Sequence, residues 1–157
     1  MSKRHLQGIA FGTTSAVVTS MGMSVGLNAA TASKATIVSG LLIVAIADNI
    51  SDSLSIHVYQ ESEGLESRAA FRSTITNFLA RLLATGTFVV LVIALPPAMM
   101  GPVLLGWGLV LLAALTYRVA RARGVSVVSE IAKHIAVALL VVFVSRTIGA
   151  WIRAYLG

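Results

Sequence analysis

Five long apolar runs limit the fold of this chain more than any other feature of its sequence. They cover residues 8–27, 36–57, 75–95, 103–119 and 131–152. About 20 apolar residues are enough for a helix to cross the hydrocarbon core of a bilayer. A mean hydropathy of +0.89 with only 11% charged residues excludes an ordinary soluble domain. We therefore predict an all-α integral membrane protein, in which residues 1–157 form a single domain of five transmembrane helices.

Nine basic residues that lie between these runs or at their ends predict how the chain crosses the membrane. Seven of them fall on one side and two on the other, namely Lys3, Arg4, Arg68, Arg72, Arg118, Arg121 and Arg123 against Lys34 and Arg153. Because cytoplasmic loops carry the excess of Lys and Arg, we predict a cytoplasmic N terminus and a C terminus outside the cell or in a lumen. The expected location is the cell membrane of a prokaryote, or otherwise an organelle membrane.

The first run carries small residues at alternating spacings of four and three. These are Gly8, Gly12, Ser15, Thr19, Gly22 and Gly26, which we call the small-residue seam. Small side chains on one helix face allow close approach of a second helix in lipid. We expect this helix to be the most buried of the five. The sequence leaves open whether the seam contacts the second or third helix of the same chain, or a second copy of the chain.

Five of the six acidic residues lie between positions 47 and 66. On a helix, Asp48, Ser51, Asp52, Ser55 and Tyr59 would form one polar stripe. A charged side chain near the bilayer centre costs about 2.5–3.5 kcal/mol on insertion scales, so Asp48 and Asp52 should face protein, a cation or water. Two carboxylates one turn apart, with hydroxyls between them, predict a cation site.

Asp48 and Asp52 are the predicted metal ligands, and weaker candidates on the same helix are Asn49, Ser51 and Ser55. The chain has no cysteine, and oxygen ligands favour Mn²⁺ or Fe²⁺ over Cu⁺ or Zn²⁺. The same aspartates could exchange protons. A second interpretation assigns Asp52 to a structural ion pair with Arg81, which lies at about the same predicted depth. We expect no basic residue at the depth of Asp48.

A short acidic connection is predicted over about residues 58–74, on the cytoplasmic side. Its carboxylates could collect divalent cations at the entrance to the site, Glu61 and Glu63 being the candidates. The alternative is a solvated turn in which these glutamates pair with the nearby Arg68 and Arg72.

Several classes of protein are excluded by the motifs that this sequence lacks. It contains no phosphate-binding loop, HExxH motif, EF-hand or nucleophile elbow. Its aromatic content of 6% is too low to suggest base stacking. We therefore predict a protein that is not an enzyme, binds no nucleic acid and needs no cofactor. Its partners should be membrane lipid, divalent metal ions and protons.

Two segments resemble the vacuolar iron transporter family of iron and manganese carriers. They are FGTTSAVVTSMGM in the first run and SGLLIVAIADNISDSLSIHVYQESE in the second, and the ending AVALLVVFVSRTIGAWI is similar to the last helix of that family. The resemblance implies a five-span homodimer that exports Fe²⁺ or Mn²⁺ from the cytoplasm in exchange for protons. It also implies a metal path at the dimer interface, between the first two helices.

The chain departs from the family pattern at three places. Ser15-Ala16 stands where the family carries an Asp-Gly pair, and Ser51-Asp52 stands where it carries a Ser-Met pair. The cytoplasmic metal-binding helices between the second and third spans are absent. These departures predict that Asp48 and Asp52 have taken over the ligation. The alternative function is a non-transporting scaffold or accessory subunit, held together by the pair of Asp52 with Arg81.

Overall fold

The computed structural model describes residues 3–31 and 33–156, with side chains described from residue 12 onward. These residues form five α-helices joined by connections of two to four residues, and the described part of the chain contains no strand. The helices are α1 (Lys3–Ala30), α2 (Lys34–Ser62), α3 (Ser67–Ala94), α4 (Pro97–Arg123) and α5 (Val127–Leu156). The all-helical fold predicted from the apolar runs is confirmed.

Local sequence signals mark the helix ends. The Ser33 side chain accepts a hydrogen bond from the Thr36 backbone N–H at the start of α2. Pro97 occupies the first turn of α4, where its missing N–H costs no intrahelical bond. Gly64 follows α2 and Gly124 follows α4, both with positive φ, which glycine adopts without steric cost. The predicted connection over residues 58–74 is therefore too long, because α2 continues to Ser62 and α3 starts at Ser67.

The distribution of polar and apolar residues is that of a protein in lipid. Large apolar side chains such as Leu83 and Phe143 are exposed, whereas ten polar or charged residues are buried among the described residues. Helices α2, α3, α4 and α5 are long and apolar enough to cross a membrane. The chain is accordingly an all-α, multi-pass membrane protein.

Helix α1 lies at the centre of the bundle and contacts each of the other four helices. None of its residues from 12 to 30 is exposed, whereas every other helix has exposed residues. The expectation that α1 is the most buried helix is confirmed over this range. Its burial follows from its small side chains, which let four neighbours approach the same helix.

The small-residue seam contacts α3 and α5 of the same chain. A methyl group at Gly12 would meet the Asn77 side chain, and one at Gly22 or Gly26 would meet Ser145 on α5. Gly149 of α5 in turn packs directly on the Gly26 backbone. The contact with α3 was among the alternatives predicted from the sequence, but the contact with α5 was not. Ser15 and Thr19 are half-buried. The contacts of Gly8 lie outside the part of the chain whose side chains are described.

Candidate membrane-embedded ion-pair site

The predicted acidic residues lie at the middle of their helix. Asp48 is the central residue of the 29-residue α2, with 14 residues on either side. Arg81 is the fifteenth of the 28 residues of α3. At 1.5 Å per residue each helix is roughly 42–44 Å long, which exceeds the roughly 30 Å hydrocarbon core. A helix centred in the bilayer would therefore place both side chains near its midplane.

One arginine binds both aspartates. Arg81 Nη2 lies 2.8 Å from Asp48 Oδ2, and Arg81 Nη1 lies 2.7 Å from Asp52 Oδ2. Arg81 Nη1 also donates a hydrogen bond of 3.0 Å to the Gly12 carbonyl oxygen of α1. The guanidinium is 2% exposed, so these contacts are made in the interior of the bundle. We call the three charged residues the Asp–Arg–Asp cluster.

The geometry of the cluster follows from helix spacing. Asp48 and Asp52 are one turn apart on α2, so their Cβ atoms lie about 5–6 Å from each other. The planar guanidinium of Arg81 carries several N–H donors in a fixed fork and can therefore contact two acceptors. The expectation that Asp48 has no basic partner at its depth is wrong, because the side chain of Arg81 spans the full turn between the two aspartates.

The two carboxylates lie at the edge of the buried face of α2. Their side chains are 42% and 37% exposed, whereas the following residues, Asn49 and Ser53, are buried. Two carboxylates and one guanidinium leave a formal charge of −1 at this position. A partly exposed charge at this depth is unfavourable against lipid and needs protein or water beside it.

The weaker ligand candidates do not join the cluster. Asn49 is buried, and its Nδ2 donates to the Phe78 carbonyl oxygen of α3 at 2.9 Å. Ser51 and Ser55 lie on the exposed face of α2, where Ser55 Oγ donates to the Ser51 carbonyl oxygen at 3.0 Å. The predicted polar stripe is thus divided between the α2–α3 interface and the outer surface of the chain.

The predicted entrance residues lie at the α2–α3 hairpin. Glu61 Oε1 is 3.5 Å from His57 Nε2, and His57 Nδ1 is 3.4 Å from Thr74 Oγ1. Glu63 is the C-cap residue of α2 and is exposed. Neither glutamate is in an ion pair with Arg68 or Arg72 among the described contacts. The described residues contain no group of three His, Cys, Asp or Glu side chains that could hold a metal ion.

A row of buried polar residues on α3 was not predicted as part of the site. Ser73, Asn77, Arg81 and Thr85 follow each other at intervals of four, and each is at most 3% exposed. Across from them, Gln60 Nε2 donates to Ser73 Oγ at 2.9 Å, and Ser20 Oγ donates to Thr85 Oγ1 at 3.1 Å. The four-residue spacing is visible in the sequence, but it does not say which side of α3 is buried.

Comparisons of this chain with protein-family models, curated proteins and solved structures give no match.

Proposed function

We propose that the chain is a membrane carrier that exports a divalent transition-metal ion, Fe²⁺ or Mn²⁺, from the cytoplasm in exchange for protons. The observation that carries this proposal is a pair of aspartates at the middle of a membrane-spanning helix, held in place but only half covered by their own chain. Intramembrane carboxylates generally mark ion pathways or proton relays. The resemblance of the first two helices to iron and manganese carriers supports the same metal class.

A second copy of the chain is the proposed cover for the half-exposed carboxylates. The outer face of α2 presents Ser51 and Ser55 beside Asp48 and Asp52. In lipid this polar surface would be unfavourable, whereas the same surface of a second copy could hydrogen-bond to it. Each protomer contributes a formal charge of −1 from its cluster. Two protomers would therefore offer −2, which matches one divalent cation.

Arg81 would help to release the metal ion from the proposed site. The guanidinium contacts one Oδ2 oxygen of each aspartate, so a cation that used those oxygens would compete with it. Metal ligands must be deprotonated, so a proton on either carboxylate also opposes metal binding. Competition among metal, proton and guanidinium for two carboxylates would couple metal release to proton uptake.

The proposal is tested by metal flux into proteoliposomes, with and without a pH gradient. We expect Fe²⁺ or Mn²⁺ transport by the native chain and its loss in Asp48→Asn and Asp52→Asn. Glu130→Gln is the matched control, because Glu130 is a carboxylate at the start of α5, paired with Lys133. Absence of flux in the native protein would refute transport. Flux that persists in both aspartate variants would refute the assignment of the site.

A non-transporting scaffold or accessory subunit is the second candidate function, because both aspartates are bound to Arg81. In this case the cluster would only join α1, α2 and α3 through the contacts of the guanidinium. The flux experiment separates the candidates when it is combined with a stability measurement. The scaffold function predicts no transport by the native chain, together with loss of stability in the same aspartate variants.

A further inference from the structure

We propose that water enters each protomer along a polar half-channel between α1, α2 and α3, which runs from the α2–α3 hairpin past the Asp–Arg–Asp cluster to Thr85. Its occupant is water, and its function is to bring water and hydrated protons to buried groups. This path lies inside one protomer and differs from the proposed metal path between two copies. It does not depend on metal transport.

Polar side chains line the proposed path over a continuous length of α3. Ser73 and Thr85 mark its ends, 12 residues apart, which corresponds to about 18 Å along a helix. Asn77 and Arg81 occupy the two turns between them. Since α3 begins at Ser67, the path starts close to the hairpin and extends past the middle of the helix.

The opposite wall is also polar. Gln60, Ser53 and Asn49 lie on α2, and the last two are buried against the rest of the bundle. Ser20 of α1 is 1% exposed and donates to Thr85 at the inner end of the path. Thus all three helices place polar side chains in the same interface.

Several of these buried polar atoms lack a hydrogen-bond partner among the described residues. They are Asn49 Oδ1, Ser53 Oγ, Gln60 Oε1, Arg81 Nε, and both Nδ2 and Oδ1 of Asn77. Buried polar groups are normally satisfied by protein or by ordered water. A buried water makes about three hydrogen bonds to such groups. Six such atoms lie along one interface, and water that enters between the helices would supply their missing hydrogen bonds.

Apolar residues close the path beyond Thr85. Phe88 and Val92 continue the buried face of α3, and Ile37 and Leu41 face them from α2, all four being fully buried. These residues belong to one hydrophobic cluster of the core. Water has no polar partner there, so the path is open toward the hairpin only. It is a half-channel and not a pore.

The absence of native cysteine allows a direct test of water access. Single cysteines replace Ser53, Ser73 and Thr85 in the full-length protein, reconstituted in vesicles. Ag⁺ is added to the side that carries the hairpin, and thiols that remain free are then counted with a maleimide after denaturation. Glu63→Cys identifies that side, because Glu63 is exposed in the hairpin. Ag⁺ is chosen because it is small enough to enter a narrow water-filled path.

Two matched controls give the reaction rate of a cysteine that faces lipid and of one in the apolar core. Leu79→Cys lies on the exposed face of α3 between Asn77 and Arg81, and Phe88→Cys lies in the buried apolar cluster. The reactive species is the thiolate, which is disfavoured in apolar surroundings, so we expect the three path cysteines to react at least about tenfold faster than either control. Equal reaction rates at the path and control positions would refute the half-channel.

A measurement on the native chain covers the case in which a cysteine variant does not fold. Transfer of magnetisation from water to the side-chain amide of Asn77 is expected, because both of its polar atoms lack hydrogen-bond partners among the described residues. Absence of transfer to this amide would refute the proposal. A chain that shows water access but no metal flux would retain the half-channel and lose the proposed function, so the two failures are distinguishable.

Discussion

Replacement of Arg81 by leucine should destabilise the protein strongly. The substitution removes a guanidinium that contacts Asp48 at 2.8 Å, Asp52 at 2.7 Å and the Gly12 carbonyl oxygen at 3.0 Å. Removal of one partner of a buried ion pair typically costs 3–5 kcal/mol, because the other charge stays behind uncompensated. Both carboxylates are partly exposed, so we expect a loss near the lower end of that range, about 3 kcal/mol.

The two aspartate charges that remain after Arg81→Leu allow an electrostatic effect on stability to be distinguished from a packing effect. Arg81→Leu changes the formal charge of the cluster from −1 to −2, whereas the triple variant with Asp48→Asn and Asp52→Asn brings it to 0. We expect the triple variant to recover more than half of the loss. A mutant cycle measures the difference as a coupling energy, because the three residues are in direct contact.

The assay is unfolding by SDS in mixed micelles, followed by the fluorescence of Trp107 and Trp151. Arg146→Leu is the matched control, since Arg146 is exposed on α5 and surface substitutions usually change stability by less than about 0.5 kcal/mol. If Arg81→Leu is as stable as this control, the cluster does not hold the helices together. A triple variant as unstable as Arg81→Leu would show that charge is not the cause.

Two further predictions concern the packing of α5. Gly149→Ala should cost about 1–3 kcal/mol, because the added methyl group would meet the Gly26 backbone of α1. In contrast, Gly106→Ala meets nothing within 4 Å and should be neutral or stabilising by up to about 1 kcal/mol; similar effects of the two variants in the SDS assay would contradict close packing of α1 on α5. Thr116→Val should cost about 1 kcal/mol, because Thr116 Oγ1 and His134 Nδ1 form a 2.9 Å hydrogen bond between α4 and α5. Thr147→Val is its control, since Thr147 Oγ1 bonds within its own helix, and an equal loss there would remove the role assigned to the interhelical bond.

The number and order of the helices could be predicted from the sequence, whereas their full lengths could not. Hydropathy reports only the apolar part of a helix. The second run ends near residue 57, yet α2 continues to Ser62 through polar residues that are compatible with a helix. The predicted connection at residues 58–74 was too long for this reason. Turn signals such as Gly64 would have given a closer boundary.

The ion-pair cluster was predicted only in part, because depth along a helix can be read from sequence but rotation about the axis cannot. Depth alone matched Arg81 to Asp52. The contact with Asp48 depends on the rotation of α3 about its axis, which directs Arg81 at the turn between the two aspartates. Rotation also decides that Asn49 is directed at α3 while Ser51 is exposed. The same limitation hid the buried row of polar residues on α3.

The position of α1 has a consequence for any dimer that covers the aspartates. The described glycines of the small-residue seam are already occupied, Gly12 by α3 and Gly22 and Gly26 by α5. No residue of α1 from 12 to 30 is exposed, so this part of α1 cannot supply most of a second interface without a rearrangement of the bundle. The outer face of α2 needs no such rearrangement, since its serines are exposed and the side chains of Asp48 and Asp52 are partly exposed. A bulky substitution at Ser51 or Ser55 should therefore remove such a dimer while the protomer stays folded, whereas one at a described glycine of the seam should disrupt the protomer itself.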